Sequence, residues 1–158
     1  MTDDQNRADT LNWIPGTDED SPETLADLPI LHIYTRAHAL ADGFLIAVPE
    51  AIAKEAGFRA PIALTASAWA DCVAWSDEDD EKQPGALQDE TGRLWDVLWM
   101  TKYAIQCAPE PSTTVTVVLH RVPRDGHSDI ARETRLTLKS GPGDQGELVL
   151  TVMLPDED

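Results

Sequence analysis

Basic residues are scarce in this 158-residue chain: 12 lysines and arginines stand against 29 acids, a net charge of −17. A field of that sign repels nucleic acid and anionic membrane and attracts basic protein surfaces. No direct nucleic-acid or membrane partner is therefore expected. Cysteine is limited to Cys72 and Cys107, far apart and without a CxxC pair. Both lie in apolar surroundings and read as buried thiols rather than a disulfide. No run approaches the ~20 apolar residues of a membrane span. Residues 1–10 are polar and acidic and hold no signal-peptide core, so the cytoplasm is the expected compartment. The chain has no P-loop, dinucleotide glycine fingerprint or GxSxG elbow. Gly141, Gly143 and Gly146 fall between two strand patterns without a Lys-Ser/Thr signature. The histidines His32, His38, His120 and His127 are scattered; His32 and His38, six apart, do not share a helical face. Neither a metal site nor a cofactor is expected.

What is present is charge in blocks. Residues 1–29 carry eight acids against Arg7, residues 77–90 carry seven against Lys82, and the chain ends on Asp156, Glu157 and Asp158. These blocks hold nearly the whole net charge, and the remainder is close to neutral. Residues 1–29 have too few apolar residues to offset the entropy of ordering. They read as a disordered acidic tail in which Trp13 and Ile14 stand isolated. A single domain is expected over residues 30–155, about 125 residues, enough to bury a core without metal or disulfide.

Thr35 can cap a helix beginning at Arg36, and Gly43 can end it. Phe44–Val48 is an apolar run of strand length. Pro49 opens a helix that Gly57 ends, with Glu50 and Lys54 paired at i,i+4. Pro61–Leu64 leads to Thr65, the cap of a helix over 66–75. Residues 76–88 read as an acidic loop. The longest helix spans 91–107, with Leu94, Val97, Leu98, Thr101 and Ile105 on one face and Trp95, Trp99 and Tyr103 on a second. Such a helix should be packed on more than one side. From Thr113 the period becomes two, and strands over 113–122, 134–139 and 147–154 follow, the last pair joined by a glycine-rich turn. The fold class is α+β: helices on one face of a small antiparallel β-meander, with Phe44–Val48 as a candidate fourth strand.

Asp71, beside Cys72 on an apolar helix, and Asp96 are the acids most open to a functional reading; each is more often structural. Arg36 has Asp42 or Asp71 as candidate partners. Nothing in the expected fold needs Asp77, Glu78, Asp79, Asp80 and Glu81, so they are the candidate partner-binding residues together with Asp89 and Glu90.

The segment Tyr34-Thr35-Arg36-Ala37-His38-Ala39-Leu40-Ala41-Asp42-Gly43 resembles a known family. Ala53–Phe58, Pro61–Thr65, Trp69 and Gly92–Leu98 add to the likeness, which covers roughly residues 34–120. The family comprises small uncharacterised proteins encoded on bacterial plasmids and integrative elements, often near anti-restriction genes. It implies a context, mobile DNA that must survive host defence, and it supplies no catalytic residues.

A binding protein is expected rather than an enzyme. The leading expectation is an acidic inhibitor of a host defence protein at its nucleic-acid-binding surface, of the anti-restriction or anti-CRISPR type, by mimicry of DNA. A second is a small-ligand binder or enzyme with a site near Asp71 and the Trp95/Trp99 stripe. A third is an adaptor or regulatory protein for plasmid maintenance. The oligomeric state is left open.

Overall fold

The computed structural model describes residues 33–157. The expected tail over residues 1–29, His32 and Asp158 lie outside the described residues. From Tyr34 onward the chain forms one compact unit.

Capping residues set the helices. Thr35 Oγ1 accepts from the His38 amide at 3.1 Å, and His38 Nδ1 accepts in return from the Thr35 amide at 3.4 Å, opening α1 (Arg36–Ala41). Gly43, at φ +79°, supplies the left-handed residue that ends it. β1 (Leu45–Ala47) is short. α2 (Glu50–Glu55) follows, with its Glu50–Lys54 pair at 2.5 Å. β2 (Ile62–Thr65) ends on the residue that caps α3 (Ala66–Cys72). Next come α4 (Asp77–Lys82) and α5 (Glu90–Cys107), then β3 (Thr114–Arg121), β4 (Arg132–Pro142) and β5 (Leu148–Met153).

The class is α+β, and the β3–β4–β5 meander is antiparallel. Two further strands extend it to a five-stranded sheet in the order β1-β2-β5-β4-β3. β2 pairs with β5 in parallel, Ile62 opposite Leu150 and Leu64 opposite Val152, so the whole sheet is mixed. β2 escapes a sequence reading for a physical reason. Ile62, Ala63 and Leu64 are all buried, and a strand covered on both faces has no polar alternation to display.

One face of the sheet carries the main core, where Val117, Leu136 and Val152 meet Leu64, Val73, Val97 and Leu98. Leu98, at the centre of α5, is fully buried as its stripe predicts. Along β5, Leu150 and Val152 face this core, so Thr151 faces the opposite side. There Arg36 Nη1 donates to Thr151 Oγ1 at 2.7 Å and Nη2 to the Leu150 carbonyl at 2.9 Å. Asp144 accepts from the Arg36 and Ala37 amides at 2.8 Å. α1 is thus held on the face away from α5, and Arg36 makes neither of the ion pairs foreseen for it. The aromatic stripe of α5 also differs from expectation. Trp95 is half-buried against the core, but Trp99 and Tyr103 are 66% and 56% exposed, so the stripe packs only at its first member. Among the described residues no helix is long and apolar enough to cross a membrane.

Candidate functional site

Residues 77–82 are a helix, not the loop expected from a run of like charge. Ser76 and Asp79 form a reciprocal capping box. The Asp79 carboxylate accepts from the Ser76 amide at 2.8 Å, and Ser76 Oγ accepts from the Asp79 amide at 3.4 Å. Asp77, Glu78, Asp79 and Asp80 all fall in the first turn, where the positive end of the helix dipole offsets their repulsion. The Ser-x-x-Asp spacing was the available signal, masked by the charge around it.

Several contacts fix α4 to the domain. Arg124 donates to Asp79 from Nε at 3.0 Å and lies 2.8 Å away through Nη2. The Arg124 guanidinium, helped by Ser76, holds the Asp79 carboxyl down at about 2. Trp75 Nε1 donates to Asp80 at 2.8 Å, while Lys82 pairs with Glu78 at 2.5 Å. At the far end Gln83 is buried. Its amide donates to the Pro123 and Ser128 carbonyls, and its carbonyl oxygen accepts from the Gly126 amide. Within that loop Asp125 accepts from His127 and Ser128, and the Ser128 hydroxyl holds its carboxyl far below the usual carboxylate range.

The seven candidate acids therefore divide. Asp79 and Asp80 are anchors and Asp89 caps α5 through the Gly92 amide at 2.8 Å, so the expectation that the fold needs none of residues 77–81 is corrected. Asp77, Glu81 and Glu90 are exposed and are the members of the set without a structural contact of their own. Between the two acidic stretches Leu87 is 88% exposed and sits at φ +50°, a conformation unfavourable for leucine.

Asp71 is committed elsewhere. Arg121 Nη2 donates to its two oxygens at 2.8 and 3.1 Å. Beside this pair lies Arg93, 2% exposed. It donates to the carbonyls of Val73, Val122 and Asp71 and to Gln88, with its guanidinium 5.0 Å from the centre of the Trp75 ring. Burial, followed by the Asp71 charge, pushes the Cys72 thiol up to about 12, which makes it a poor nucleophile. Asp71 lines a shallow cleft with Ser67, Ala70, Asp79 and Arg124, whereas Trp99 lines a different one with Ala56, Lys102 and Gln106. The structure does not bring Asp71 and the tryptophan stripe together. Asp96 lies on the exposed side of α5, its carboxyl pushed up by partial desolvation. Arg93, Arg121 and Arg124 are the residues that sequence reasoning missed. An arginine directly before the Leu94 stripe was the one hint.

Among the described residues no cluster of three or more metal-ligating side chains occurs. An open apolar groove of about 670 Å³ lies between the last turns of α5 and β3, with Met100, Tyr103, Ala104, Cys107 and Val118 in its walls. Cys107 is exposed there, contrary to the reading of both cysteines as buried, because the final turn of α5 runs past the core.

The model of a family of unknown function, DUF6573, matches residues 23–158. No curated protein and no solved structure matches the chain.

Proposed function

We propose that this chain, which belongs to DUF6573, a family of unknown function, acts by binding and presents the α4 surface to a basic site on another protein. One observation carries the reading. Acids that would repel one another in a loop are held on a short helix fixed at both ends, leaving Asp77 and Glu81 exposed and uncommitted on α4, with Glu90 likewise exposed at the start of α5. Such a surface can occupy a site built for phosphate charge without first being ordered. Leu87, exposed in the connection between α4 and α5, offers an apolar contact, of the kind that anchors an interface ringed by charge. The resemblance to proteins of plasmids and integrative elements favours a host defence protein as the target, bound at its nucleic-acid channel.

The test is capture from host lysate with salt-step elution, comparing the wild-type chain with a D77N/E81Q/E90Q variant. The variant spares every anchoring acid and should fold normally. The expected result is a partner held by the wild-type chain, released by moderate salt, absent with the variant and unable to hold DNA while bound. A partner captured equally by both chains would refute the acidic surface as the recognition element.

A further inference from the structure

The open groove lies beside an open sheet edge. β3 is the terminal strand of the five, eight residues long, about 27 Å at the usual rise. Beyond Thr114, whose amide and carbonyl meet the Ser112 hydroxyl, its outer backbone groups have no strand to pair with among the described residues. Edge strands are normally shielded by proline, lysine, acids or a bulge; Thr114–Leu119 has none of these, and its register with β4 runs unbroken from Thr114 to Arg121. The opposite edge, β1, has only three residues. Below the β3 edge the groove exposes Met100, Tyr103, Ala104 and Cys107, and Val118 is 37% exposed. Backbone and side chains thus call for the same neighbour, an extended strand carrying a helix on the same face.

We propose that a second copy of this chain fills that place, its β3 pairing antiparallel with the first across a two-fold axis perpendicular to the sheet. Three features select a second copy over an unrelated strand. First, that axis keeps both α5 helices on the same face. Tyr103 and Met100 of each copy then close the groove of the other, and one ten-stranded sheet results. Second, the stretch 110–142 carries five basic residues against four acids. On a chain of net −17, this is a side on which two copies can approach without strong repulsion. Third, the two ends of the edge carry opposite charge. Glu110 lies before the amino end of β3 and Arg132 of β4 is paired with Arg121 at the other, and neither side chain makes a hydrogen bond or ion pair among the described residues. An antiparallel neighbour sets the Glu110 end of each copy against the Arg132 end of the other, acid to base. The α4 surface takes no part, so this inference stands apart from the proposed binding function.

Sedimentation equilibrium of the full chain over a wide micromolar range tests it. The expected result is a reversible species of twice the monomer mass that tightens with added salt, because salt screens the long-range repulsion between two acidic molecules. Val118→Lys should give a monomer with an unchanged melting temperature. Arg132→Glu should weaken the dimer about tenfold or more, as the loss of charge pairs across interfaces does. Adding Glu110→Arg to Arg132→Glu should restore it. A wild-type chain that stays monomeric throughout, a dimer untouched by Val118→Lys, or a charge swap that restores nothing would each overturn the proposal.

Discussion

Buried polar atoms in this domain are satisfied almost everywhere, and the exception identifies itself. Thr101 is fully buried on α5, and its hydroxyl is the one buried side-chain oxygen or nitrogen among the described residues with no hydrogen-bond partner. Replacing such a hydroxyl by a methyl of the same shape removes a desolvation penalty of about 1 kcal/mol. Thr101→Val should therefore leave stability unchanged or raise it by about that amount in a urea titration. A loss beyond ~1 kcal/mol would mean that the hydroxyl has a partner in solution. The two cysteines make an independent check. Cys72 is buried with its thiol pushed up to about 12, whereas Cys107 is exposed in the groove. A thiol reagent at neutral pH should label Cys107 alone in the native chain and both after unfolding. Rapid native labelling of Cys72 would contradict its environment beside Asp71 and Arg93.

Elements with local signals were legible in the sequence. Thr35 and Thr65 cap α1 and α3, Gly43 and Gly57 end α1 and α2, and Leu98 lies in the core, because each depends on a residue's own chemistry within one or two turns. Elements decided at long range were not. β2 is a strand because β5, far along the chain, accepts it in parallel. α4 is helical because Ser76 caps it and Arg124 neutralises Asp79, and that arginine lies beyond α5. The exposure of Trp99 and Tyr103 likewise depends on which elements reach α5, which no periodicity of α5 contains.

The α4 account predicts a division among residues that look alike in sequence. Asp79→Asn with Asp80→Asn should destabilise the domain by about 1–3 kcal/mol, through loss of charged hydrogen bonds to Arg124, Ser76 and Trp75. Asp77→Asn with Glu81→Gln should have almost no effect. The acid limb of stability carries the same signature. The Asp79 carboxyl falls from an ordinary 3.8 to about 2 on folding. Its contribution is therefore fully present above pH 3.8 and lost as pH falls through about 2. Thermal melts between these values should fall more steeply for the wild-type chain than for Asp79→Asn, and parallel curves would remove Asp79 from the helix anchor.

At the scale of the whole molecule, charge and shape are segregated. The α4 surface, rigid and acidic, is fixed to the loop that follows β3, whereas the apolar α5 groove opens along β3 itself toward Glu110. Asp77, Glu81 and Glu90 do not line that groove, so a second copy and a different protein use different residues. The two contacts must then respond to salt in opposite directions, the dimer strengthening and the acidic contact weakening. The central claim is that exposed, uncommitted acids on α4 and at the start of α5 steer a basic partner. Steering acts on the rate of association more than on the lifetime of the complex. The most direct measurement is the association rate of the captured partner with the wild-type chain and with D77N/E81Q/E90Q, from low to moderate salt. A wild-type rate that falls with salt, with the variant slow at low salt and nearly indifferent to it, is the predicted result. A variant that associates at the wild-type rate, with the wild-type salt dependence, would contradict the claim and return these acids to solubility alone.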